Sequence, residues 1–170
     1  MATPTYTLID SVTLTSSASS VSFTGISATG KGDLVFVIES ASTDNGGDNI
    51  RLRFNGDSGT NYYMVSMEGN GSAARSDSSS SNGIINTYWD IHHSGSVNKG
   101  FVTYQIMDYS ASDKQTSVLV RSGRASSGIS AVAGRWNNSA AVTSVSVQYG
   151  NPAASFSATS TFHLYQLVSE

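Results

Sequence analysis

The chain has 170 residues, a formal net charge of −3, no cysteine and 12% charged residues. That length suits one domain with a core large enough to stand without metals or disulfides. Zinc–thiolate sites, redox motifs and a cysteine nucleophile are excluded, and the acidic balance argues against a nucleic-acid partner. No stretch approaches the roughly 18 consecutive apolar residues of a membrane span. Met1 to Leu8 has neither a basic region nor an apolar one, so no secretory signal is expected. The 33 serines, 15 threonines, 16 glycines and 11 asparagines supply turns and polar strand faces, and 16 aromatics supply a core.

Taken in chain order, nearly every segment alternates with period two, the spacing of a strand with one buried face. Tyr6, Leu8 and Asp10 alternate with Thr7 and Ile9; Val12 and Leu14 follow, then Val21 and Phe23. Leu34 to Ile38 is an unbroken apolar run, which predicts a strand buried on both faces. Ile50, Leu52 and Phe54 alternate with Arg51, Arg53 and Asn55. Further strands are predicted at Tyr62–Glu68, Ile84–His92, Phe101–Tyr109, Ser117–Ser122, Ile129–Trp136, Val142–Tyr149 and Thr161–Val168. In Phe101–Tyr109, Val102, Tyr104 and Ile106 point inward, while the opposite set is mixed and can meet something on its own side. Clusters at Thr43–Asn49, Asn55–Asn61 and Ser72–Gly83 carry turn chemistry. The expectation is an all-β, antiparallel sandwich of about ten strands, a jelly roll. It occupies residues 1–170 as a single domain, with residues 1–5 as an N-terminal arm.

Several features invite a chemical reading. Gly56-Asp57-Ser58-Gly59 is similar to the nucleophile segment of chymotrypsin-like proteases. That family carries its histidine upstream of the serine, whereas His92, His93 and His163 all lie downstream here. A lipase-like elbow needs a helix that the sequence does not offer, so the segment reads as a turn between two strands. His92 and His93 are adjacent on a predicted strand and point to opposite faces, which prevents joint chelation. Asp44, Asp48, Asn49, Asn55, Asp57 and Asn61 could supply oxygens to calcium, but turn chemistry explains them as well. Glu39 and Glu68 are not marked as a hydrolytic pair. No catalytic residue, cofactor or metal is therefore expected. The sequons at Asn70-Gly71-Ser72 and Asn137-Asn138-Ser139 carry no weight without a secretory signal.

Other residues suit contacts. Trp89, Trp136, Tyr62, Tyr63 and Tyr88 could form a platform for sugar stacking, or serve the core. Arg51 and Arg53 share a polar strand face that either reaches a partner's carboxylates or protects an edge. Tyr6, Phe101 and Tyr165 complete the candidates for partner contact, with the strand edges and the terminal segments.

Leu8-Ile9-Asp10-Ser11-Val12-Thr13-Leu14, Leu52 to Tyr62, Met67-Glu68-Gly69-Asn70-Gly71, Gly134-Arg135-Trp136-Asn137-Asn138 and Thr161-Phe162-His163-Leu164-Tyr165 are distinctive together. They resemble small Ser/Thr-rich accessory proteins from the structural modules of tailed bacteriophages. The resemblance covers nearly the whole chain, through turns and core strands and not through a catalytic signature. It implies a jelly-roll domain on the particle exterior, often trimeric, that decorates or cements the capsid through contacts with the major capsid protein or other virion proteins. The alternative it implies is a fibre tip or lectin-like module for a host glycan, contacted by Trp89, Trp136, Tyr62 and Tyr63.

Overall fold

Alternating apolar and hydroxylated residues form strands throughout the computed structural model, which describes residues 5–30, 32–44, 49–85, 99–125 and 127–167. The strands are β1 (Tyr6–Thr13), β2 (Ser20–Thr24), β3 (Asp33–Ser40), β4 (Ile50–Phe54), β5 (Tyr62–Gly69) and β6 (Ala74–Ser81). They continue with β7 (Ile84–Ile85), β8 (Gly100–Ile106), β9 (Thr116–Arg124), β10 (Gly128–Trp136), β11 (Ser144–Tyr149) and β12 (Thr161–Leu167). An eight-stranded sheet runs in the order β1-β12-β3-β8-β9-β10-β5-β6, and a four-stranded sheet in the order β2-β11-β4-β7. Each neighbouring pair is antiparallel. The result is the antiparallel β-sandwich that the period-two pattern predicts, jelly-roll-like in its crossings between sheets.

The core lies between the sheets. The large sheet contributes Leu34, Phe36, Ile38, Val102, Tyr104, Ile106, Val118, Val120, Val132, Phe162 and Leu164; the small one contributes Val21, Phe23, Ile50, Leu52, Phe54, Val145 and Val147. Phe23 meets Phe36 edge-on across the layers at 5.4 Å, a favoured aromatic geometry. Tyr104 donates its hydroxyl hydrogen bond to the Ile50 carbonyl at 3.3 Å, tying β8 to β4 through the interior. Phe156 comes from the connection between β11 and β12 and bridges Ala18 and Ser42 by backbone pairing. Its ring lies 4.6 Å from Tyr149 and 5.0 Å from Phe162, closing one side of the sandwich.

The structure departs from the sequence reading in three places. Leu34–Ile38 is not buried on both faces: Val35 and Val37 are only half-buried, because among the described residues no second layer covers the outer side of the large sheet. Ser72–Gly83 contains β6 and is not simply a loop. The side chains of β6 have no apolar alternation, so its ladder to β5 holds it, helped by Arg75 Nε donating to Glu68 Oε2 at 3.0 Å. Pairing with a neighbour overrides propensity here. The strand expected over Ile84–His92 is described only as β7, and its remainder, with His92 and His93, lies outside the described residues.

Phe156 has no solvent exposure, two ring partners in Tyr149 and Phe162, and two backbone partners in Ala18 and Ser42. Truncating it leaves a cavity that a rigid sandwich fills poorly. We expect Phe156→Ala to lower the unfolding free energy by about 3–5 kcal/mol, as read by urea denaturation. A loss under about 1 kcal/mol would refute the role of this ring in closing the sandwich.

Candidate functional site

The serine motif is a structural latch. Asn55 and Gly56 turn the chain at φ of 51° and 72°, values that suit Asn and Gly in a hairpin. Asn55 Oδ1 accepts from the backbone N–H groups of Thr143 and Ser144 at 2.8 and 3.1 Å, and its amide donates to the Ala141 carbonyl at 2.8 Å. Asp57 then accepts from Trp136 Nε1 at 2.7 Å, from the Asn61 amide at 2.9 Å and from Gly59 N–H at 2.8 Å. The Trp136 bond, opposed by burial and helped by Asn61, holds the Asp57 carboxyl below the usual aspartate range. Its oxygens are thus committed to holding the turn. Ser58 belongs to that turn, and the one described histidine, His163, lies across the sandwich on β12.

Tyr62 and Trp136 are correspondingly not a sugar platform. Both are buried in the core, their rings stacked at 6.3 Å with an interplanar angle of 16°. Tyr62 accepts from Phe54 N–H at 3.0 Å and donates to the Asp57 carbonyl at 3.1 Å. The sequence does not separate these aromatics from Tyr63, because neighbours on a strand differ only in which face they take. Tyr63 is 44% exposed. Trp89 and Tyr88 lie outside the described residues.

Arg53 is engaged within its own chain, donating from Nε to the Asn82 carbonyl at 2.7 Å and from a terminal nitrogen to Gln148 at 3.1 Å. Arg51 lies half-buried on the same face of β4, its stem filling the space where Gly83 lacks a side chain. These two residues knit the small sheet together. Among the described residues, no group of three or more His, Asp or Glu could hold a metal. Asp44 accepts from Asn151 at 2.7 Å, and Asp48 lies outside the described residues.

The remaining candidates converge on the outer face of the eight-stranded sheet, which no other element covers among the described residues. Its exposed large residues are Tyr63, Val65 and Met67 on β5, Phe101 on β8, Leu119 on β9 and Ile129 on β10, with Tyr6 and Leu8 on the β1 edge. Tyr6 is 55% exposed and meets Tyr165 edge-on at 6.4 Å. The register places Phe101 opposite Gly123, and Arg121 between Thr103 and Ala131. A side chain at Gly123 would meet the Phe101 ring and Ile129, so glycine there lets that ring lie down on the sheet.

Three grooves mark this face. One of about 780 Å³ runs between Met67, Phe101, Arg121 and Ile129 over β6, β5, β10 and β9. A second, of about 650 Å³, follows Tyr63, Val65, Ser78, Ser80 and Arg135. The third, of about 400 Å³, joins Tyr6, Val35, Phe101, Gln105, Leu119 and Arg121. Phe101 and Arg121 line both the first and the third. The sequence reading selected Tyr6, Tyr63, Phe101 and Tyr165 from this face; it missed Val65, Met67, Leu119, Arg121, Ile129 and Arg135. Their signal was alternation itself: each occupies the phase opposite to the buried residues of its strand.

No protein-family model and no curated protein sequence matches the chain. Among solved structures, galectin LEC-6 of Caenorhabditis elegans overlays with a TM-score of 0.34 and 10% identity, across 96% of this chain and 98% of that one.

The latch makes an alkaline prediction. Burial raises the Tyr62 hydroxyl from 10.0 to about 12, so the folded state keeps its proton after the unfolded chain has lost it. The stabilisation is complete below about pH 10 and is lost as pH rises through about 12. Urea midpoints should fall across this window and fall less in Tyr62→Phe, which gives up about 1 kcal/mol at neutral pH. Asp57→Ala should cost about 1–3 kcal/mol by stranding the buried indole N–H, with a shift in tryptophan fluorescence.

Proposed function

We propose that this chain is a non-catalytic recognition module that binds a glycan on the outer face of its eight-stranded sheet. The observation that carries the reading is the grooved face around Phe101, which no other element covers among the described residues. A monomer seldom exposes a contiguous apolar patch of this kind without using it. Phe101 and Tyr63 offer ring faces to the C–H side of a pyranose. Arg121, Arg135, Gln105 and the hydroxyls of Ser76, Ser78 and Ser80 offer hydrogen bonds to its polar rim. Binding sites of this type combine an apolar floor with a few directed polar groups. In the virion setting that the sequence resemblance implies, the module would be a fibre tip that meets a host surface glycan.

A second reading keeps the same face and changes the occupant. Val65, Met67 and Ile129 are 57%, 66% and 66% exposed, and aliphatic side chains suit a protein surface better than a sugar. On this reading the face docks on the capsid shell as a decoration protein, stabilising it by binding only the assembled form.

A glycan array probed with the wild-type chain, Phe101→Ala and Tyr63→Ala separates the two. The glycan reading expects hits that weaken roughly tenfold or more in each variant, about 1.4 kcal/mol per lost ring contact. An array without hits, together with Phe101-dependent co-sedimentation on capsid shells, would replace it with the decoration reading.

A further inference from the structure

The charges on the outer face are unevenly distributed. The chain has 12 acidic against 9 basic residues, yet the outward positions of β8, β9, β10, β5 and β6 carry Arg121 and Arg135 and no carboxylate. Among the described residues, the outward phase of the sheet holds two acidic side chains, both on β3: Asp33, and Glu39, which is exposed and lies opposite Phe101. Glu39 lies 3.9 Å from Lys99, while Asp33 accepts from Gln105 at 2.8 Å and from Asp108 N–H at 2.9 Å. Of the other ion pairs of the described residues, Lys114 with Asp108 lies in the β8–β9 connection, while Arg75 with buried Glu68 borders the β6 side of the first groove. Arg121 and Arg135 enter none of them. Arg135 rests its guanidinium 5.7 Å from the centre of the Tyr63 ring, and Arg121 stands in the wall shared by two grooves.

An arginine exposed beside apolar side chains is a poorly hydrated cation, with a planar fork matched to carboxylate or sulfate. Two of them on the β8–β9–β10–β5–β6 part of this face, whose outward positions hold no carboxylate, make that part locally positive against the overall charge. Their separation also carries information. Arg121 pairs with Ala131, and Arg135 lies four residues further along β10, which is roughly 14 Å at strand rise. On that backbone spacing, an extended chain suits both better than a single sugar does.

We infer that the ligand of this face is an acidic oligosaccharide, whose anionic groups are held by Arg121 and Arg135 while its ring faces lie on Phe101 and Tyr63. This inference rests on the glycan reading and names its ligand class. It assigns discrimination to the two arginines and general adhesion to the aromatics.

The test measures binding of the whole chain to immobilised hyaluronan, which carries carboxylates, dextran sulfate, which carries sulfates, and neutral dextran. We expect binding to at least one anionic polymer, little to neutral dextran, and a fall as salt rises from about 10 mM to about 150 mM. Arg121→Gln and Arg135→Gln should each weaken binding roughly tenfold, whereas Lys114→Gln removes the same charge elsewhere and should not. Preference between hyaluronan and dextran sulfate tells carboxylate from sulfate recognition. If neutral dextran or neutral array glycans bind and both arginine variants retain them, this inference is overturned and the glycan reading stands. If anionic polymers bind equally to wild type and both variants, non-specific attraction replaces it. If no glycan binds at all, both fall together. Thermal unfolding of each variant confirms that an exposed substitution has left the fold intact.

Discussion

The structure depends on an unequal pairing of sheets. Four strands face eight; one face of the large sheet is buried against the small one, and among the described residues no layer covers the other. Period-two alternation then commits every second residue of β3, β5, β8, β9, β10 and β12 to one fate or the other. Inward positions receive Phe, Tyr, Ile, Leu and Val because their burial drives folding. Outward positions are released from that demand. A face left free by packing can be composed for recognition, and here it carries aromatics, aliphatics and arginine.

The latch at Asp57 shows how one end of the sandwich is held by hydrogen bonds in a chain without cysteine. A single carboxylate fixes the β4–β5 turn, the β10 indole and the Asn61 amide. Asn55 ties the same turn to the backbone that precedes β11. A charged acceptor is worth more than a neutral one where donors converge. The motif that looks most enzymatic in the sequence is therefore the one most fully spent on structure. The same accounting removes Tyr62 and Trp136 from the surface and leaves Tyr63, one residue away, to face solvent.

Function in such a fold is a property of the exposed phase of its strands, not of the sandwich itself. Phe101 lies flat because Gly123 opposite it has no side chain. Arg135 lies against Tyr63 because strand register sets them directly across from one another. These are pairwise consequences of pairing between strands distant in sequence. They give the face its grooves, and the grooves give it a chemistry that neither strand holds alone.

Alternation by itself determined much of this protein: an all-β sandwich, inward Val102, Tyr104 and Ile106, and a turn at Gly56–Gly59. Those features are local, since side-chain phase and turn residues are written within a few neighbouring positions. β6 was illegible because Ala-Arg-Ser-Asp-Ser-Ser-Ser-Ser has no alternation, and only the free edge of β5 makes it a strand. Which phase of each aromatic pair is buried was equally hidden, so Tyr62 and Trp136 looked as available as Tyr63. Arg121 and Arg135 had no sequence neighbour to mark them; register across β8, β9, β10 and β5 gathered them beside Phe101 and Tyr63. Local chemistry chose the strands, and only long-range pairing decided which residues share a surface.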